Sequence, residues 1–112
     1  MLTTSIILFA ITAVLGIIII SKLLTNKETP KPVVFLHGAV AATALILLII
    51  YAVNSDNSPI VSIVLFVIAA LGGFILLARD LSKKPGPKGL ALIHAGAAVV
   101  AFVILLIFAF GL

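Results

Sequence analysis

Four long apolar runs, each ended by a short polar segment, make up most of this chain. They extend roughly from Leu2 to Leu24, Val33 to Val53, Ile60 to Ala78 and Leu90 to Leu112. About 20 mostly apolar residues are enough for an α-helix to cross the hydrocarbon core of a bilayer. Isoleucine runs such as Ile17 to Ile20 would favour strand in water, but in lipid a helix satisfies its own backbone and an isolated strand does not. The pattern therefore predicts an all-α fold: a bundle of four transmembrane helices in a single integral membrane domain, residues 1–112. The first run has no basic residue before it and is long enough to span, so it is expected to be a retained helix and not a cleaved signal. The linkers are short and polar, which makes sequential helices antiparallel neighbours. Pro30, Pro32, Pro59 and Pro87 stand where helices should start, a position at which the missing N–H costs nothing.

The second half repeats the first. With an offset of 57 residues and no gap, 18 of 55 paired positions are identical. They include Phe9 with Phe66, Ala13 with Ala70, Gly16 with Gly73, Lys27 with Lys84, Pro30 with Pro87, Lys31 with Lys88 and His37 with His94. Further along, Ala41 matches Ala98, Ala44 matches Ala101, Leu48 matches Leu105 and Ala52 matches Ala109. Apolar sequence gives chance matches, but chance does not easily bring histidines, linker prolines, lysines and glycines into one register. The fold expected is a tandem duplication of a two-helix hairpin, residues 1–55 and 58–112. Both copies enter the membrane in the same direction, so a pseudo-two-fold axis should lie along the membrane normal. On the second helix, His37, Ala41, Ala44, Leu48 and Ala52 fall within about 80° of one another at roughly 100° per residue. Small residues let membrane helices approach closely. Helices two and four are thus expected to face each other through alanine stripes, with Gly16 and Gly73 seating helices one and three against them.

Composition supports the membrane reading: 64% of residues are hydrophobic and 9% charged, against about 25% charged in a soluble domain. The absence of cysteine excludes disulfides, thiolate metal sites and covalently attached c-type haem. A net charge of +4 could suggest nucleic acid, but the placement of the charge argues against it. All seven basic residues (Lys22, Lys27, Lys31, Arg79, Lys83, Lys84 and Lys88) lie at or in linkers one and three, and linker two carries only Asp56. By the positive-inside rule linkers one and three face the cytoplasm, and both termini face outward. The expected setting is the inner membrane of a bacterium, as a multi-pass protein whose basic face could also hold anionic lipid head groups. Asp80 beside Arg79 reads as an interfacial pair. Thr12 and Thr43 read as bonded back to their own helices, and Tyr51 as an interfacial anchor.

His37 and His94 are the only titratable side chains well inside the runs. Each lies about 7–8 Å deep from the basic end at 1.5 Å per residue. Ionisable groups in a membrane are costly and are functional candidates by default. Two neutral imidazoles at equal depth, on opposite sides of an axis, suit the axial positions of one b-type haem, since imidazole is a good iron ligand. The flat macrocycle would need small neighbours, for which Gly38 and Ala41 beside His37, and Gly96 and Ala98 beside His94, are candidates. Lys27, Lys31, Lys84 and Lys88 are within reach of the propionates, and Phe9, Phe66 or Phe35 could pack on the ring edge.

The architecture and the histidine pair resemble small four-helix membrane cytochromes of the b type. That resemblance implies that His37 and His94 are axial ligands and that the chain is an electron carrier or oxidoreductase subunit, with a quinone or another redox partner. The chain departs from a transmembrane electron path because it has no second histidine pair near the other face. Two other readings stand beside this one. The histidines could be polar glue between helices two and four. They could also be a proton relay in a small transporter, or in an accessory subunit of a larger membrane complex. Small multidrug exporters have about this length, but they depend on a carboxylate within the membrane, and none lies inside these runs. A homodimer and a larger complex are both compatible with the sequence.

The charge asymmetry makes a topological prediction. A compartment reporter fused after Leu112 should report the outer side, and one inserted in linker one the cytoplasm. Cytoplasmic signal at Leu112 would invert the orientation.

Overall fold

The computed structural model describes all 112 residues. It contains four α-helices: α1 (Leu2–Leu24), α2 (Lys31–Val53), α3 (Ile60–Leu81) and α4 (Lys88–Phe110). Each is long and apolar enough to cross a membrane. Two helices begin earlier than their apolar runs. Pro30 and Pro87 hold extended backbone at the N-cap positions, so Lys31 and Lys88 become first-turn residues. α3 continues past Ala78 and takes Arg79 and Asp80 into its last turn. α4 stops at Phe110 because Gly111 adopts a left-handed conformation, φ 65°.

The duplication extends into the backbone of the linkers. After α1, Asn26 has φ 58°, and after α3 its equivalent, Lys83, has φ 57°. In each copy the next amide closes a wide turn, from Lys27 N to Lys22 O at 2.8 Å and from Lys84 N to Arg79 O at 3.0 Å. These are Schellman-type terminations, which satisfy carbonyls left open at a helix end.

The bundle measures 44 × 21 × 19 Å. α1 packs along α2, and α3 along α4, as two hairpins that meet each other more lightly through α1 with α4 and α2 with α3. This is a four-cornered arrangement with α1 and α3 on one diagonal and α2 and α4 on the other. The expected close alanine-to-alanine packing of α2 on α4 is not observed: no Cα of one comes within 8 Å of a Cα of the other. The stripes do face inward, but across a diagonal. Closing that gap would require α1 and α3 to move apart.

Side chains that reach the centre meet their own repeat equivalents. Phe9 and Phe66 stack with ring centres 3.8 Å apart and planes 4° from parallel. The His37 and His94 rings are 6.3 Å apart. Tyr51, expected only as an anchor, pairs edge-on with its equivalent Phe108 at 6.4 Å. The pseudo-two-fold axis runs between these pairs.

The core is concentrated in the half of the bundle away from the basic linkers. Phe9, Ala44, Leu48, Ile63, Phe66, Ala101 and Leu105 form one buried cluster there. Only 12 of 112 residues are buried, so most apolar side chains face outward, as a lipid solvent allows and water would not. Ser5 and Ser62 are both fully buried in this half. The Ser5 hydroxyl donates to the Ala44 carbonyl at 2.8 Å, tying α1 to α2. The equivalent hydroxyl of Ser62 has no partner.

This difference between equivalent serines gives a direct test. Removing a made hydrogen bond costs about 0.5–1.5 kcal/mol, whereas removing an unpaired buried hydroxyl costs little or is favourable. Ser5→Ala should lower unfolding stability in mild detergent by about 1 kcal/mol, and Ser62→Ala should leave it unchanged or raise it. Equal losses would mean that Ser62 is also bonded.

Candidate functional site

α2 starts at Lys31, so His37 lies six residues in, about 9 Å from the basic end at 1.5 Å per residue. His94 occupies the same place in α4. Each imidazole is anchored within its own hairpin. Nδ1 of His37 lies 2.9 Å from the Thr12 carbonyl on α1, and Nδ1 of His94 lies 2.6 Å from the Ala69 carbonyl on α3. A carbonyl only accepts, so Nδ1 carries the proton, and in the neutral ring Nε2 keeps its lone pair. The Thr12 hydroxyl takes no part in this bond; it donates backwards, to Leu8 O at 2.9 Å. Thr43 likewise bonds back to Ala39 O. The histidines therefore do bind helices together, but they join α1 to α2 and α3 to α4. Neither ring makes a hydrogen bond between α2 and α4.

Glycine makes room for each ring. A Cβ on Gly16 would lie 3.1 Å from Cε1 of His37, and one on Gly73 would lie 3.1 Å from Cε1 of His94. Both distances are tighter than ordinary van der Waals contact. The glycines thus let imidazoles, not backbone alone, fill the spaces within the hairpins.

Between the hairpins, on the basic side of the Phe9–Phe66 stack, lies a cavity of about 430 Å³. This is within the usual range for small-molecule sites, about 300–1,000 Å³. Its wall is mainly apolar and includes both histidines, Ala13, Ala70, Ala41 and Ala98. Towards the basic linkers it meets a polar vestibule of about 600 Å³, lined by Lys27, Lys31, Lys83, Lys84 and Lys88 with Glu28 and Asp80.

The predicted site residues separate clearly. His37, His94, Gly38, Ala41 and Ala98 line the apolar cavity. Lys27, Lys31, Lys84 and Lys88 line the vestibule. Gly96 belongs to neither; it is exposed on the outer face of α4 with open space in front of it, because two residues along a helix turn roughly 200° away from His94. Phe35 is also outward-facing, whereas Phe9 and Phe66 stack on each other as the cavity floor. Asp80 does not pair with Arg79. Its Oδ1 accepts from the Thr29 hydroxyl at 2.8 Å, and Lys31 Nζ makes a charge contact with Oδ2 at 2.8 Å. Arg79 Nε donates instead to Pro85 O, at 3.1 Å. The contact with linker one arises because α3 runs on far enough to point Asp80 across the inter-hairpin junction. The carbonyls of Thr12 and Ala69 had no signal in the sequence, since any residue supplies one.

Two histidines alone do not make a site for a bare metal ion. No three His, Asp or Glu side chains converge in the chain, whereas a bare zinc ion normally takes four ligands. A macrocycle-bound iron needs only two more. Two imidazole nitrogens at about 2 Å from one metal place the ring centres roughly 6 Å apart, and here they are 6.3 Å apart. The Nδ1–H to carbonyl bond is the usual outer contact of a metal-binding histidine, fixing its tautomer and orientation.

No protein-family model, curated protein or solved structure matches this chain.

The glycine contacts supply a test independent of any ligand. Gly16→Ala or Gly73→Ala should displace the facing ring and lower stability by about 1–3 kcal/mol, the range for overpacking. Gly38→Ala and Gly96→Ala, which meet open space, should be neutral. Unfolding in detergent measures this. Loss of the His Nδ1–H signal in NMR of the Gly16→Ala protein would show the ring leaving its carbonyl. Neutral behaviour at all four sites would contradict the close approach.

Proposed function

We propose that this chain is a membrane b-type haem protein. It holds one haem through Nε2 of His37 and His94 and serves one-electron transfer. The observation that carries this reading is the histidine pair itself. Two symmetry-equivalent imidazoles face one cavity, each with Nδ1 committed to a carbonyl and Nε2 left free, and their ring centres are 6.3 Å apart. When bound, the haem would supply an iron couple whose potential depends on its axial ligands and burial.

The chain's own residues have defined parts in this proposal. Thr12 and Ala69 orient the imidazoles through their carbonyls. Ala41, Ala98 and Gly38 leave space beside them. The Phe9–Phe66 stack, with Leu48 and Leu105 beyond it, closes the cavity toward the other half of the bundle. Lys27, Lys84 and Lys88 have no carboxylate within ion-pair distance and offer positive charge to the propionates. Lys31 already faces Asp80. With linkers one and three in the cytoplasm, as the lysine distribution favours, the haem sits near the inner leaflet. It exchanges electrons on that side only, with a quinol or a soluble donor.

The filled far half also weighs against the transporter alternative. No intramembrane carboxylate is present, since Asp80 lies at the cavity mouth, and a relay would have to cross the Phe9, Leu48, Phe66 and Leu105 core.

The test is spectroscopic. His37→Ala and His94→Ala should each abolish the sharp split bands of reduced six-coordinate haem, to similar extents by symmetry. Acid should release the haem, because neutral histidine is the ligand. The imidazole planes stand 75° apart. The ferric protein should therefore show the strongly anisotropic low-spin electron paramagnetic resonance of crossed axial ligands, not the rhombic signal of parallel ones. A low-spin spectrum surviving both histidine changes would place any haem elsewhere.

A further inference from the structure

Four residues line both the apolar cavity and the lysine vestibule: Leu23, Thr29, Asp80 and Gly86. They form the neck between the two spaces. They are also two repeat-equivalent pairs, since Leu23 corresponds to Asp80 and Thr29 to Gly86. Both contacts across the neck join one hairpin to the other. On one side Thr29 of linker one donates to Asp80 of α3 at 2.8 Å, with Lys31 alongside. On the other side Leu23 of α1 lies against Gly86 of linker three, so close that a Cβ on Gly86 would be 3.1 Å from Leu23 Cδ1. The same two positions are thus bridged twice, once by a carboxylate and once by an apolar side chain.

The polar bridge is singular in this chain. Lys31 with Asp80 is the only ion pair, and Thr29 with Asp80 the only side-chain hydrogen bond between the hairpins at this end; the other, Ser58 Oγ donating to Ala52 O, lies at linker two. Everything else that holds the hairpins together at this end is light apolar contact. An approaching carboxylate would meet Lys27, Lys83, Lys84 and Lys88 without partners, and then Lys31 with its charge already matched by Asp80.

We propose that the neck is the gate of the cavity and that Asp80 is its latch, an internal carboxylate that a ligand's own acid group replaces on Lys31 and Thr29 as the ligand passes. The gate selects amphiphiles that carry an acid group at one end. An apolar molecule without one has nothing to exchange for Asp80. The leucine side lets the neck widen without breaking a second polar bond. A leucine at position 86 would fill the neck. The exchange deepens the haem reading, because haem carries two propionates, but the gate itself is defined by the chain alone.

The absence of cysteine makes a clean probe possible. Ala98→Cys puts one thiol in the cavity wall, and its reaction with an anionic, membrane-impermeant methanethiosulfonate in nanodiscs reports passage through the neck. Asp80→Asn should raise the labelling rate roughly threefold to tenfold, the scale of one half-buried ion pair with its hydrogen bond. Thr29→Val, which removes the hydrogen bonds of Thr29 with Asp80 and Lys31 but leaves the ion pair, should raise it less. Gly86→Leu should lower it. Unchanged labelling in Asp80→Asn and Thr29→Val would overturn the latch, and unchanged labelling in Gly86→Leu would overturn the neck as the route. A second arm rests on the haem reading. Haemin should load faster than its dimethyl ester into the unmodified chain, and the difference should vanish in Asp80→Asn. Equal rates for the two in the unmodified chain would overturn the exchange. If no variant takes up haemin, the haem reading fails while the thiol arm still decides the gate.

Discussion

A side chain that reaches the axis between two copies of one hairpin has its own copy for a neighbour. That constraint governs the whole bundle. Where the repeated residue is large, the axis is filled by two large residues, as with Phe9 and Phe66 or Leu48 and Leu105. Where it is small, the axis is doubly empty, as at Ala13 with Ala70 and Ala41 with Ala98. In water such a void would tend to collapse. In lipid the drive to close it is weak, because helix association gains little from hiding apolar surface. The bundle is therefore tightly filled in one half and hollow in the other, and the histidines stand in the hollow half. Their equal depth needs no separate explanation.

Symmetry also limits what the chain can do, and the departures from symmetry are informative. A symmetric pair of imidazoles offers two equal bonds to one centre on the axis. It does not provide a path across the membrane, because Phe9, Phe66, Leu48 and Leu105 fill the other half. The two copies differ most at the basic mouth, where Asp80 stands for Leu23 and Gly86 for Thr29. Inside, the pairs Ala13 with Ala70, Gly16 with Gly73, His37 with His94 and Ala41 with Ala98 are identical, whereas both pairs that form the neck differ.

Much of this was readable from the chain. The four helices followed from apolar length, and the pseudo-symmetry followed from matches that low-complexity sequence would not produce by chance. Gly16 and Gly73 were recognisable as positions of close approach. What they admit, an imidazole ring, was not, because the histidine rotamer depends on packing in three dimensions. The alanine stripes lie on the inward face, but across a diagonal: helical phase reports which side is small, and cannot say whether the facing helix is adjacent or diagonal. Gly96 is close to His94 in sequence, but two residues along a helix face nearly opposite ways. Asp80 is beside Arg79 in sequence, but α3 runs on to Leu81 before the turn at Lys83, and this carries Asp80 across to Thr29 of linker one.

Titration of haemin into the purified chain, followed at the Soret band, tests the histidine pair as a haem site most directly. A single axis crossed by one pair of imidazoles predicts saturation at one haem per chain, with a six-coordinate low-spin spectrum from the first addition. Continuous non-saturating uptake, or no Soret band at all, would contradict it and leave His37 and His94 as the bonds that hold each hairpin together.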